Sequence, residues 1–173
     1  MPKKRKREPS RHIQQIFDDV FKQLMWLSDL AIVQFINGLF ETDHPADSVV
    51  HRVSTENVSR RLRKTLADVV IIINNVSYHI ETQISDDEDM ALRMFEYGFA
   101  ESLRGRGTSV TEDSGHPGED TITLRFPQAR LIYWEVSGKT PDKARLNLVF
   151  PDNTEHRFEV EVLKFLDHSI QEL

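Results

Sequence analysis

Asp68, Glu81 and Gln83 are spaced so that one cation could sit among them. In "ADVVIIINNVSYHIETQ", residues 67–83, Asp68 stands at the entrance and the two others at the exit of a run otherwise fit for buried sheet. The central Asn74-Asn75 dipeptide is a hairpin signal. With those residues in the turn, Ile73 faces Val76 and Asp68 falls opposite Glu81, their Cβ atoms roughly 4.5–5.5 Å apart. The two-residue period of a strand sets Ser77, His79, Glu81 and Gln83 on one face. Like charges directly opposed destabilise a sheet, so something must offset them. A divalent cation held between the carboxylates does so, and Mg²⁺ typically takes one or two protein carboxylates together with water and phosphate oxygens. Solvation at a frayed hairpin end, or pairing with the basic run 60–64, offsets the repulsion too. Spacing alone leaves these alternatives open.

The elements around this hairpin must position it. Ser10 can cap a helix over 11–27, where Ile13, Phe17, Val20, Phe21 and Leu24 form one apolar face. Ser28 can cap a second helix to Phe40 that is apolar nearly all round, which predicts deep burial. A short strand over 49–53 and a polar, basic stretch over 55–65 lead into the hairpin. After "SDDED" a helix is expected over 87–103, with Met90, Met94, Tyr97 and Leu103 pointing inward. Acids at 86–89 suit a helix start through capping and the helix dipole. The segment "RGRGTSVTEDSGHPGED", 104–120, reads as a mobile loop. Strands follow over 122–126 and 131–136 on either side of Pro127, and 146–150 pairs with 156–162 around "PDNT". This order predicts an α+β (mixed α/β) fold with a central sheet.

The chain has 173 residues, enough for one domain with a real core. We expect a basic leader over 1–9, disordered, and a single domain over 10–173. No apolar run approaches the ~20 residues of a membrane span, and no apolar segment follows the basic leader as in a secretory signal. With no cysteine, disulfides and thiolate metal sites are excluded, which fits a reducing, cytoplasmic setting. A net charge of −6 argues against gripping nucleic acid by bulk electrostatics. Positive charge is nevertheless concentrated in "PKKRKR" and in "RRLRK", where Arg60, Arg61, Arg63 and Lys64 could meet a phosphate backbone.

Asp68 followed by Glu81-Thr82-Gln83 resembles the PD-(D/E)XK nuclease superfamily, and within it the recombination-promoting nuclease and transposase-like branch, which uses E-x-Q. Further segments carry the resemblance along nearly the whole chain. "DDVFKQLM" looks like that branch's D-x-x-F-K helix, and "RMFEYGF" like its R-x-x-x-Y helix. "TLRFPQARLIYWEV" and the "PD" hairpin after it resemble its downstream segment. Two departures stand out: Gln83 replaces the lysine of the wider superfamily, and the chain ends where relatives continue into a helical region.

The resemblance implies a restriction-endonuclease-like central mixed sheet flanked by helices, and a metal-dependent DNA endonuclease that hydrolyses phosphodiester bonds. Asp68, Glu81 and the carbonyl of Thr82 would hold Mg²⁺ (or Mn²⁺), and Gln83 would orient water or a phosphate oxygen. Asp18 could add a third carboxylate or be a solvent-facing helix acid. Lys22 could pair with it or meet phosphate. Arg93 and Tyr97, four apart on one helical face, could bind phosphate and stack, or close the core with an ion pair to the acidic cluster. His79 shares the face of Glu81, where a hydrogen-bonded wall residue is expected. DNA is the implied partner, with a homodimer by resemblance and a nucleoid-associated location if the source is bacterial; no small-molecule cofactor is expected. The alternative is an inactive nuclease fold binding DNA or a protein.

Overall fold

The computed structural model describes residues 20–21, 23, 26–53, 69–84, 87–104 and 123–165. Within them six strands form one mixed sheet: β1 (Val50–Val53), β2 (Val69–Ile73), β3 (Val76–Gln83), β4 (Gln128–Tyr133), β5 (Lys143–Val149) and β6 (Glu155–Lys164). Their spatial order is β1-β2-β3-β4-β6-β5, with β3, β4 and β6 mutually parallel and the remaining neighbours antiparallel. Two helices complete the described fold, α1 (Asp29–Phe40) and α2 (Met90–Arg104). The mixed α+β class expected from the sequence is present.

Local chemistry sets the boundaries. Ser28 caps α1 by accepting a hydrogen bond from the Ala31 N–H, and Glu41 at φ 56° turns the chain out of the helix. The Asn37 side chain then ties down the exit, accepting from Thr42 Oγ1 and the His44 N–H and donating to the His44 carbonyl. Asn74 and Asn75 both take positive φ (49° and 66°), the conformation a two-residue hairpin turn requires. The β2–β3 register pairs Ile73 with Val76 and Val69 with Ile80, as the turn chemistry dictates.

The sheet is covered on both faces. On one, Ile32, Val33, Ile36 and Phe40 of α1 join Ile71, Ile73, Tyr78, Ile80 and Ile132 in the main core. On the other, Met90 and Met94 of α2 pack with Leu131, Tyr133 and Val160. Burial on both sides explains why β2 is an unbroken β-branched run rather than an alternating one.

Several sequence expectations need correction. Residues 123–127 are not a strand; β4 begins at Gln128, because Pro127 has no N–H to give a ladder. It ends at Tyr133 rather than at 136. Helix α2 starts at Met90, with Asp87 instead accepting from the Asp89 N–H in the turn before it. Leu103 points to solvent, and α1 buries one face only, leaving Leu30 exposed. Arg104 closes α2 rather than opening a loop. The first helix is seen only as helical Val20, Phe21 and Gln23. The helix expected to Leu27 has ended by Trp26, whose N–H donates to the Gln23 carbonyl in a turn. The other residues of that helix, the leader over 1–9 and the loop over 105–120 lie outside the described residues, as does the basic stretch over 55–65. Among the described residues no helix is long and apolar enough to cross a membrane.

Candidate functional site

Strand β3 delivers a polar row to the face beneath α2. From the turn outward it carries Ser77, His79, Glu81 and Gln83, alternating with Tyr78, Ile80 and Thr82 on the α1 side. Parity explains the division: Tyr78 and Ile80 belong to the α1 core, whereas Val70, paired with His79, packs against Tyr97 of α2. Gln83 sits at the carboxyl end of β3 beside Tyr133 of parallel β4.

Glu81 is buried, with 4% of its surface exposed, and it has an ionic partner. Arg93 Nη2 donates to Glu81 Oε1 at 2.8 Å, while Nη1 reaches Asp87 Oδ2 at 3.4 Å. One guanidinium therefore bridges a buried carboxylate and a surface one. Arg93 can do this because it sits one turn into α2, above the strand end. Asp87 is held in the turn before the helix, its N–H donating to the Tyr133 hydroxyl.

His79 lies deeper, 1% exposed, with Nε2 3.6 Å from Glu81 Oε2. Its ring stacks on Tyr97 with centroids 4.2 Å apart and planes tilted by 41°. Neither His79 nitrogen, nor the Tyr97 hydroxyl, nor Ser77 Oγ has a hydrogen-bond partner among the described residues. His79 is a buried wall residue as expected; among the described residues it is held by stacking and sits beside the carboxylate rather than in a hydrogen bond. Burial pushes the Tyr97 phenol well above its usual value, and the negative charges of Glu101 and Glu81 add to the effect against Arg104.

Of the residues expected at the site, the structure brings Glu81 and Arg93 into direct contact and places Tyr97 against their neighbour His79. Gln83 is on the same face at the strand end. Thr82 turns its side chain into the α1 side, so a ligand role there belongs to its carbonyl. The Gln83 carbonyl accepts from the Trp134 N–H on the β4 side, and alternation along the strand directs that of Thr82 toward the β2 side. Asp18, Lys22, Arg60, Arg61, Arg63, Lys64 and Asp68 lie outside the described residues. The sequence reading missed Tyr133; its position in β4, two residues beyond the inward Leu131, was the available signal.

Glu81 and the Thr82 carbonyl are hard oxygen donors of the kind Mg²⁺ and Mn²⁺ prefer, and the chain has no cysteine thiolate. Among the described residues no three His, Asp or Glu side chains converge as a metal centre. Arg93 supplies positive charge to Glu81. No family model matches the chain, and no curated protein or solved structure matches it either.

Proposed function

We propose that the chain is a metal-dependent DNA endonuclease with a restriction-endonuclease-like core, cutting phosphodiester bonds at the carboxyl end of β3. One observation carries the reading: a buried carboxylate, Glu81, in a hairpin whose register pairs Val69 with Ile80, Asp68 and Glu81 being the next residues in sequence before the one and after the other. That point also lies near the carboxyl end of β3, which is flanked by antiparallel β2 on one side and parallel β4 on the other.

In this reading Asp68, Glu81 and the Thr82 carbonyl hold Mg²⁺ or Mn²⁺, with Asp18 as a further carboxylate. Bound there, such a cation would supply Lewis-acid activation of water and charge stabilisation at the scissile phosphate. Gln83 orients that water or a phosphate oxygen through its amide, without lysine's charge. Arg93, paired with Glu81 and one-third exposed, would stand within reach of a phosphate oxygen at that strand end. Tyr97 and His79 form the dry floor that holds Glu81 in place. Arg60, Arg61, Arg63, Lys64 and Lys22 contact the DNA backbone, the net charge of −6 leaving that grip to local clusters.

A second reading, a nuclease fold that binds DNA or a protein without cutting, is favoured by the Arg93–Glu81 ion pair and by Gln83 standing where the superfamily has lysine. Plasmid cleavage in Mg²⁺ or Mn²⁺ separates them. The nuclease reading expects nicking or linearisation that Asp68→Ala and Glu81→Ala each abolish. Cleavage persisting in both variants sinks the site, and a folded wild type that binds DNA without cutting selects the second reading.

A further inference from the structure

Strand β5 is the long edge of the sheet, and its backbone has only one partner strand among the described residues. Its pairing with β6 is continuous, from Lys143 opposite Glu161 to Val149 opposite Glu155, without a bulge. The Phe150 N–H donates to the Thr154 carbonyl and the Val162 N–H to that of Asp142. Hydrogen-bonded pairs alternate along an antiparallel ladder, so the even-numbered residues of β5 spend their backbone groups on β6. Lys143, Arg145, Asn147 and Val149 therefore direct their N–H and C=O groups outward. Arg145, Asn147 and Val149 are exposed, and Val149 keeps 65% of its surface in solvent.

Natural edge strands are defended by charges, prolines, bulges or brevity. Strand β5 has the charges but points them elsewhere. Lys143 Nζ lies 3.6 Å from Glu159 and 3.5 Å from Glu161, and Arg145 Nε donates to Glu159 at 2.9 Å. Both cations are drawn back over the sheet onto β6. The opposite edge, β1, has four residues against seven in β5 and is the shorter template.

We propose that β5 pairs antiparallel with β5 of a second copy of this chain, making one sheet continuous through a homodimer. Outward-facing residues must meet outward-facing residues, so odd positions pair with odd. Centring the pairing on Leu146 uses the whole strand and sets Arg145 opposite Asn147 and Lys143 opposite Val149. No cation then faces a cation, and the Lys143 stem lies along the exposed Val149. On the other face Leu146 meets its own counterpart and Ala144 meets Leu148. Centring on Arg145 instead would oppose two guanidiniums, which a sheet disfavours. A self-complementary strand of this kind fits an isologous two-fold contact, and the pairing is independent of the chemistry at Glu81.

Sedimentation velocity of the full chain over a concentration series tests it. Wild type is expected to dimerise. Val149→Lys, an exposed substitution that sets lysine opposite Lys143, should weaken the dimer at least tenfold. The double variant Val149→Lys/Lys143→Glu should restore it by putting opposite charges in register. Far-UV circular dichroism of each variant keeps misfolding from passing as dissociation. A wild type monomeric at every concentration overturns the proposal, as does a folded Val149→Lys variant that dimerises as tightly as wild type.

Discussion

Glu81 and Arg93 are unequal partners. Arg93 is about one-third exposed (33%) and keeps Asp87 as a second carboxylate, whereas Glu81, at 5% side-chain exposure, has little access to water. Removing a partner from a buried pair leaves the other charge uncompensated, which costs ~3–5 kcal/mol when both groups are buried. Because Arg93 is partly solvated, Arg93→Met should cost less, about 2 kcal/mol. Glu81→Gln, which leaves Arg93 to Asp87 and solvent, should cost under ~1 kcal/mol. Urea unfolding of the two variants checks the ranking, and the reverse order would show that Arg93 depends on Glu81 more than Glu81 depends on Arg93. Tyr97 offers a second check. Its hydroxyl is buried without a hydrogen-bond partner among the described residues, so Tyr97→Phe should be neutral or stabilising by up to about 1 kcal/mol at pH 7. The folded phenol is raised above its unfolded value of 10.0, so its contribution is fully present below pH 10 and lost as pH rises beyond it. Tyr97→Phe should therefore retain more stability than wild type on the alkaline limb. A variant that unfolds in parallel with wild type above pH 10 would show the phenol reaching water.

Helix α2 meets the chain that returns into β4 at Gly98. A Cβ there would stand 2.7 Å from Phe126 Cδ1 and 3.1 Å from Cε1. Phe126 is 38% exposed and can retreat only outward, giving up the packing of its ring at 5.4 Å from that of Phe95 and 6.1 Å from that of Phe158. Alanine is favoured over glycine inside a helix by ~0.8–1.0 kcal/mol, but overpacking typically costs ~1–3 kcal/mol. Gly98→Ala should thus be a net loss of about 1 kcal/mol, read as a lowered melting temperature. A raised melting temperature would show that Phe126 moves freely. The same contact explains why the sequence misplaced a strand over 122–126. Its alternation of apolar and polar residues fits a strand, yet Phe126 is used to cover α2, and Pro127 delays the ladder to Gln128. The β2–β3 hairpin, by contrast, was legible because Asn74 and Asn75 supply the positive φ that its turn needs, and the turn alone sets the register. The Arg93–Glu81 contact was half legible. Helical spacing pairs Arg93 with Tyr97, but which strand lies beneath them depends on the crossover into parallel β4, a non-local choice no local propensity encodes.

At the scale of the molecule, the sheet joins an antiparallel half, β1-β2-β3, to a half built on parallel β3, β4 and β6, and Glu81 stands near the seam. The class of the fold followed from the element order; the strand order did not, because three parallel neighbours separated by long connections can be arranged in several ways. The charge distribution bears on function at this scale. A chain of net charge −6 that binds DNA must do so through clusters, and Arg60, Arg61, Arg63 and Lys64 form the run leading directly into Asp68. Each phosphate neutralised on duplex DNA contributes ~0.9 to the slope of log affinity against log salt. Replacing all four with alanine should lower the slope by about 3–4 if every one meets a phosphate. Affinity should fall uniformly across sequences, because backbone contacts carry no base information. Fluorescence anisotropy with two unrelated duplexes at several salt concentrations measures both quantities. An unchanged slope would place the DNA elsewhere on the surface, with the basic run reduced to a counterweight for Asp68 and Glu81, the alternative that their spacing alone left open.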